Sequence, residues 1–173
     1  MLCIPIVAKD TRSAIKKISE AKEHADLLEL RLDLMDSFDL HEMISMAERP
    51  VIVTYRSEKE GGQGNADHSK VAEYLINAAH ENAAYIDVEL SIPLELRNEI
   101  IKNRKNSRII ISTHMMEYTP SKDDLMSLFD ESIRAGSDIV KIVTMANSMD
   151  DNLRILELVS EARKRKIDIT DER

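Results

Sequence analysis

Lys141 sits in the run Ile139-Val140-Lys141-Ile142-Val143, with β-branched aliphatic residues on both sides. An ammonium in the middle of such a β-type run is costly to bury alone. Desolvation and neighbouring cations lower the pKa of a lysine so placed, giving the neutral amine that attacks a carbonyl to form a Schiff base. The plainer alternative is a lysine paired with an inward carboxylate such as Glu89 or Glu29. His114 closes the run Ile109-Ile110-Ile111-Ser112-Thr113-His114. An imidazole there faces a pocket, and its ordinary pKa of about 6.5 suits proton transfer at neutral pH. A histidine bonded to a neighbouring loop is the alternative.

Glu29 and Arg31 stand two residues apart in Leu28-Glu29-Leu30-Arg31-Leu32-Asp33 and so share one face of a strand. A carboxylate accepts from a substrate hydroxyl, and a guanidinium holds a hydroxyl or carboxylate; a mutual or cross-strand ion pair accounts for the same residues. The segment Thr54-Tyr55-Arg56-Ser57-Glu58-Lys59-Glu60-Gly61-Gly62 leaves a strand for a loop that, with Gly64, holds three of the four glycines in the chain. Its spacing matches neither dinucleotide nor P-loop fingerprints. A mobile loop carrying Glu60 towards a pocket and a plain surface turn are the two readings. His24, His41, His68 and His80 lack ligand spacing and read as surface residues, and Cys3 is the single cysteine. No metal site and no disulfide framework is expected. Met115, Met116 and Met145 read as gap-filling apolar contacts.

The elements that must position these residues recur along the chain. Short β-type runs at residues 2–8, 26–32, 51–56, 84–90, 108–114 and 138–144, with a last start at 167–170, alternate with charged segments of helical periodicity such as 13–23 and 152–164. The repeat of about 27 residues is an ordinary βα length and predicts a parallel sheet with right-handed crossovers. Within each run one parity is apolar. The other carries Glu29, Arg31, Thr54, Arg56, Asp87, Glu89, Ser112, His114 and Lys141. A strand covered by helices on both faces reads as almost uniformly apolar. Alternation of this kind instead predicts a β/α barrel, helices outside and a polar centre near the C-terminal strand ends. Eight such units need about 220 residues, whereas the chain has 173. The expectation is one domain over residues 1–173, an incomplete TIM (β/α)8-type barrel of about six βα units with strands seven and eight largely missing.

Hydrophobic residues make up 43% of the chain and the formal charge is −8. That charge argues against nucleic acid or an anionic membrane as partner. No run approaches the roughly 20 apolar residues of a membrane span, and the first residues lack signal-peptide character. A cytoplasmic protein is expected.

Five segments, taken together, resemble type I 3-dehydroquinate dehydratase. They are Glu29-Leu-Arg31-Leu-Asp33, Thr54-Tyr-Arg56-Ser-Glu-Lys-Glu60-Gly61-Gly62, Asp87-Val-Glu89-Leu, Ser112-Thr-His114-Met-Met-Glu-Tyr-Thr119-Pro120 and Asp138-Ile-Val-Lys141-Ile-Val. Each is weak alone; in this order and spacing they cover essentially the whole chain. The resemblance implies a (β/α)8 barrel that converts 3-dehydroquinate to 3-dehydroshikimate and water in the shikimate pathway, without cofactor or metal. It also implies roles: Lys141 forms the imine with the C3 ketone, His114 moves the C2 proton and assists loss of the C1 hydroxyl, and Glu60 orients His114. Glu29, Arg31 and Arg56 match substrate-binding positions. The family further carries an arginine on strand seven, then a serine and a glutamine in a loop after strand eight. The tail of this chain reads Lys164-Arg165-Lys166-Ile167-Asp168-Ile169-Thr170-Asp171-Glu172-Arg173, and Arg173 is not assigned that role. Two expectations follow. One is weakened substrate binding, with a non-catalytic binding or assembly protein as the alternative function. The other is association of chains into a homodimer across open strand edges, or partial closure by the tail. A lysine-imine aldolase is less favoured, because phosphate sites of such barrels usually follow strands seven and eight.

Overall fold

The computed structural model describes residues 1–170. Seven parallel strands lie side by side in chain order: β1 (Cys3–Ile6), β2 (Leu27–Arg31), β3 (Val51–Thr54), β4 (Tyr85–Glu89), β5 (Arg108–Met115), β6 (Ile139–Thr144) and β7 (Asp168–Thr170). An open doubly wound sheet reverses its strand order at a switch point. No reversal occurs here, and the sheet is a curled half-barrel of the TIM type. Helices α1 (Thr11–Ala21), α2 (Leu40–Ala47), α3 (His68–His80), α4 (Leu94–Lys102), α5 (Lys122–Arg134) and α6 (Met149–Lys164) form the crossovers. Short polar residues start most of them: Asp10, Asp39, Asp67, Ser121 and Ser148 each accept a first-turn backbone N–H. None of the helices among the described residues is long and apolar enough to cross a membrane.

The core lies outside the sheet. Leu28, Leu30, Val51, Val53, Ile86, Val88, Ile109 and Ile111 alternate along β2–β5 and are buried against Ala14, Ile18, Met43, Val71, Leu75 and Ile100 of the helices. A second cluster joins Val140 and Ile142 of β6 to Leu125 and Phe129 of α5 and to Ile155, Leu158 and Ala162 of α6. The opposite parity therefore faces inward, and the register lines it up. Glu89 pairs with Ser112 and Ser112 with Lys141, while Arg31 pairs with Thr54 and Thr54 with Asp87. The outer parity is apolar along the central strands, and the inner parity turns polar towards their C-terminal ends, as expected of a barrel.

At one edge, the Leu2 carbonyl accepts from Leu27 N, so the even-numbered residues of β1 bond to β2. Pro5 takes the alternate position, where its missing N–H falls on the side of the strand away from β2.

Phe129 is fully buried between α5 and the outer face of β6, away from the inward side chains. Phe129→Ala is expected to cost about 3–5 kcal/mol, read as a lower urea midpoint.

Candidate active site

Where β4, β5 and β6 come together on the inner face, the polar residues form one continuous network. Arg56, immediately after β3, is buried; its Nη1 donates to Glu89 Oε1 and Ser112 Oγ at 3.0 Å each, and its Nη2 donates to Asp87 Oδ2 at 2.8 Å. Burial works against the guanidinium charge, but Asp87, then Glu89 and Glu60, more than offset it and raise its pKa. Asp87 is the inward centre of β4, and it also accepts from Ser112 Oγ. Burial alone would push its carboxyl up. Arg56 first, then Lys141, the Ser112 hydroxyl and His114, outweigh burial and hold it below the ordinary carboxylate range.

Lys141 lies at the inner face of β6, with its side chain 7% exposed and its Nζ 3.8 Å from Asp87 Oδ2. The amine thus has an inward carboxylate beside it, as the plainer sequence reading anticipated, but Asp87 fills that place instead of the expected Glu89 or Glu29. The Arg56 guanidinium is close by as well, since its Nη2 donates to the same Asp87 oxygen.

His114 pairs in register with Val143, two residues past Lys141, so the imidazole and the amine share the inner face of neighbouring strands. Its Nδ1 lies 2.9 Å from Glu60 Oε2, and its backbone N–H donates to the same oxygen at 3.0 Å. A carboxylate only accepts, so the ring proton sits on Nδ1 and leaves Nε2 as the basic nitrogen of the neutral ring. The other Glu60 oxygen accepts from Ser91 Oγ at 2.8 Å.

Glu60 reaches His114 from a turn tied by backbone hydrogen bonds. Gly62 N donates to Ser57 O, Gly64 N to Arg56 O and Glu58 N to Gly64 O. A Cβ on Gly62 would sit 2.1 Å from the Arg56 carbonyl oxygen, and one on Gly64 would sit 2.3 Å from the Tyr55 ring. Close backbone approach is the reason for these two glycines. Gly61 closes the 3-10 turn Glu58–Glu60 at φ 82°.

Glu29 accepts from Thr54 Oγ1 at 2.6 Å. It does not pair with Arg31. Arg31 instead makes a two-pronged bond to Asp33, from Nε at 2.8 Å and Nη2 at 2.7 Å. All six residues expected from the sequence therefore line the inner face of the sheet or its C-terminal mouth. Arg56 donates to Asp87, Glu89 and Ser112, an organising role that spacing alone did not reveal. Asp87 and Ser112 were legible as inward polar residues, but nothing marked them as the groups that join Arg56 to Lys141. Ser91 lies just past its strand, where alternation carries no signal. Among the described residues no group of three or more His, Cys, Asp or Glu side chains could hold a metal ion. Arg173 lies outside the described residues.

Below this network the trough of the half-barrel holds a cavity of about 420 Å³. Leu27, Ile52, Tyr85, Ile110 and Ile139 line it, with Glu29, Asp87 and Lys141 among the polar groups on its wall.

The family model for type I 3-dehydroquinase matches residues 2–170. The chain belongs to the type I 3-dehydroquinase family. It is 37% identical over 166 residues to the 3-dehydroquinate dehydratase of Methanococcus maripaludis strain C5, a match covering 93% of this chain and 74% of that one. The enzyme of the same name from Methanocaldococcus jannaschii is 34% identical over 165 residues, again 93% and 74% of the two chains. Among solved structures, the type I 3-dehydroquinate dehydratase of Clostridium difficile superposes with a TM-score of 0.89 at 28% identity, covering 98% of this chain and 73% of that one.

Because the folded Asp87 carboxyl titrates below its unfolded value, its contribution to stability is present above that unfolded value and is lost as the pH falls through the folded one. Asp87→Asn leaves Arg56 and Lys141 short of an anion and is expected to cost about 3–5 kcal/mol at neutral pH. The urea-midpoint gap between parent and variant should stay level down to about pH 5 and close only below about pH 4. A gap that closes between neutrality and about pH 5 contradicts the assignment.

Proposed function

We propose that this chain is a 3-dehydroquinate dehydratase that acts through an imine on Lys141. The observation that carries this reading is the placement of Lys141 and His114 on one face of adjacent strands, with Asp87 beside the amine and Glu60 behind the imidazole. Lys141 Nζ adds to the C3 ketone of 3-dehydroquinate, and loss of water from the carbinolamine leaves a protonated imine. That cation is an electron sink for the adjacent C2–H bond. His114 Nε2 takes the C2 proton to give an enamine. It then returns a proton to the C1 hydroxyl as the C–O bond breaks and the iminium reforms. Hydrolysis of that iminium releases 3-dehydroshikimate and frees the lysine.

Each surrounding group has a task in this scheme. Ammonium and iminium carry the same charge, so the Asp87 anion serves both without rearranging. Glu60 keeps the ring proton on Nδ1 and supports the imidazolium formed at the first proton transfer. Glu29 and Arg31 are assigned to substrate hydroxyls at the mouth, and Arg56 to holding Asp87, Glu89 and Ser112 in place beside the substrate. The chain works as a single β/α domain in the cytoplasm, in the shikimate route to aromatic amino acids. No observation favours the alternative of a non-catalytic binding or assembly protein.

Borohydride added during incubation with 3-dehydroquinate is expected to trap a covalent adduct on Lys141, located by peptide mass spectrometry. Folded protein that yields no adduct would overturn the scheme. Lys141→Ala should abolish both adduct and turnover. His114→Ala should still form the imine while kcat falls about 10²–10⁴-fold.

A homodimer is proposed as well. Among the described residues β1 and β7 each pair on one side only, and Met149, Leu153 and Leu156 present apolar surface along α6. Sedimentation velocity should give the dimer at micromolar concentration; a folded monomer there excludes it.

A further inference from the structure

Asp33 belongs to the 3-10 turn Leu32–Leu34 that follows β2, and its side chain is completely shielded from solvent. Such a carboxylate needs strong partners. Oδ1 accepts from Arg31 Nε at 2.8 Å, and Oδ2 accepts from Arg31 Nη2 at 2.7 Å and from the backbone N–H of Gln63 at 3.2 Å. The first two bonds fix the plane of the guanidinium, since a fork on the Nε side removes rotation about the last side-chain bonds. Arg31 itself stays partly open, with 23% of its side chain exposed. The third bond holds the glycine turn three residues beyond Glu60. That turn is already closed by the Gly62, Gly64 and Glu58 backbone bonds, so a pull at Gln63 is transmitted to Glu60. One buried carboxylate therefore touches both halves of the site, the arginine at the mouth and the support of the histidine.

We propose that Asp33 is a positioning residue that sets the orientation of Arg31 towards substrate and the seat of Glu60 against His114. The proposal rests on the function assigned above, because Arg31 and Glu60 matter only if substrate binds over Lys141. Asp33 touches neither substrate nor reacting atoms in this scheme and acts through its two neighbours.

The test is a pair of measurements on Asp33→Asn, Arg31→Lys and the double variant, with Asp33→Glu, which keeps the charge, used wherever Asp33→Asn does not fold. Steady-state kinetics should show KM raised about tenfold or more in Asp33→Asn, the loss of a charge-assisted contact, with kcat changed much less. The double variant should be no worse in KM than Arg31→Lys alone, since both changes act on one guanidinium. Separately, ¹⁵N NMR of the free proteins should show the His114 ring signals and their titration displaced in Asp33→Asn. A merely structural role predicts a lower melting temperature with KM, coupling and ring signals as in the parent, and that result overturns the proposal. Additive effects on KM also overturn it. If the parent neither turns over nor is trapped by borohydride, the assigned function fails; the ring signals still decide whether Asp33 seats Glu60.

Discussion

The guanidinium of Arg56 lies inside the sheet wall among Asp87, Glu89 and Glu60, and most of the mouth of the half-barrel is arranged around it. A charge this far from water survives only when its hydrogen bonds are met by fixed partners. Two neighbouring inward positions of β4 supply two of the carboxylates, and the turn that begins at Arg56 supplies the third. The same residue anchors that turn through its backbone carbonyl. Side chain and main chain of one arginine thereby set the positions of Asp87 under the lysine and Glu60 behind the histidine. The apolar outer face, with Ile86, Val88, Ile109 and Ile111 packed on the helices, holds the strands rigid enough for this to work.

Among the described residues around the mouth, the carboxylates of Glu29, Asp33, Glu60, Asp87 and Glu89 outnumber the cations Arg31, Arg56 and Lys141. An environment with excess negative charge favours cationic intermediates. A protonated imine and an imidazolium are the two cations that the proposed chemistry creates. The preference is built in before substrate arrives, as electrostatic preorganisation requires. Its counterpart is a poor reception for an anionic substrate, which must be met by donors directed at it.

Much of this was legible from residue order. Alternation along Leu28–Asp33 and Ile109–His114 separated the helix-facing from the cavity-facing side chains, because a strand has a period of two and no freedom to change it. Lys141 and His114 followed directly. The partners were harder. Which inward carboxylate meets Lys141 depends on the stagger between strands, and stagger is set by sheet closure, not by the pattern within one strand. Asp87 is the case in point: equal on paper to Glu29 and Glu89, it alone reaches both Arg56 and the amine. The glycine segment allowed two readings, a mobile loop or a plain turn. Three glycines invite an expectation of mobility, whereas Gly62 and Gly64 serve close packing against Arg56 and Tyr55. Ser91 sits just past its strand, beyond the reach of periodicity.

Pro5 bears on what can pair with β1 on the side away from β2. A strand laid there meets no amide hydrogen at Pro5, because its ring nitrogen carries none. Whatever segment lies along that side, its ladder to β1 is interrupted in the middle, and side chains must make up the contact.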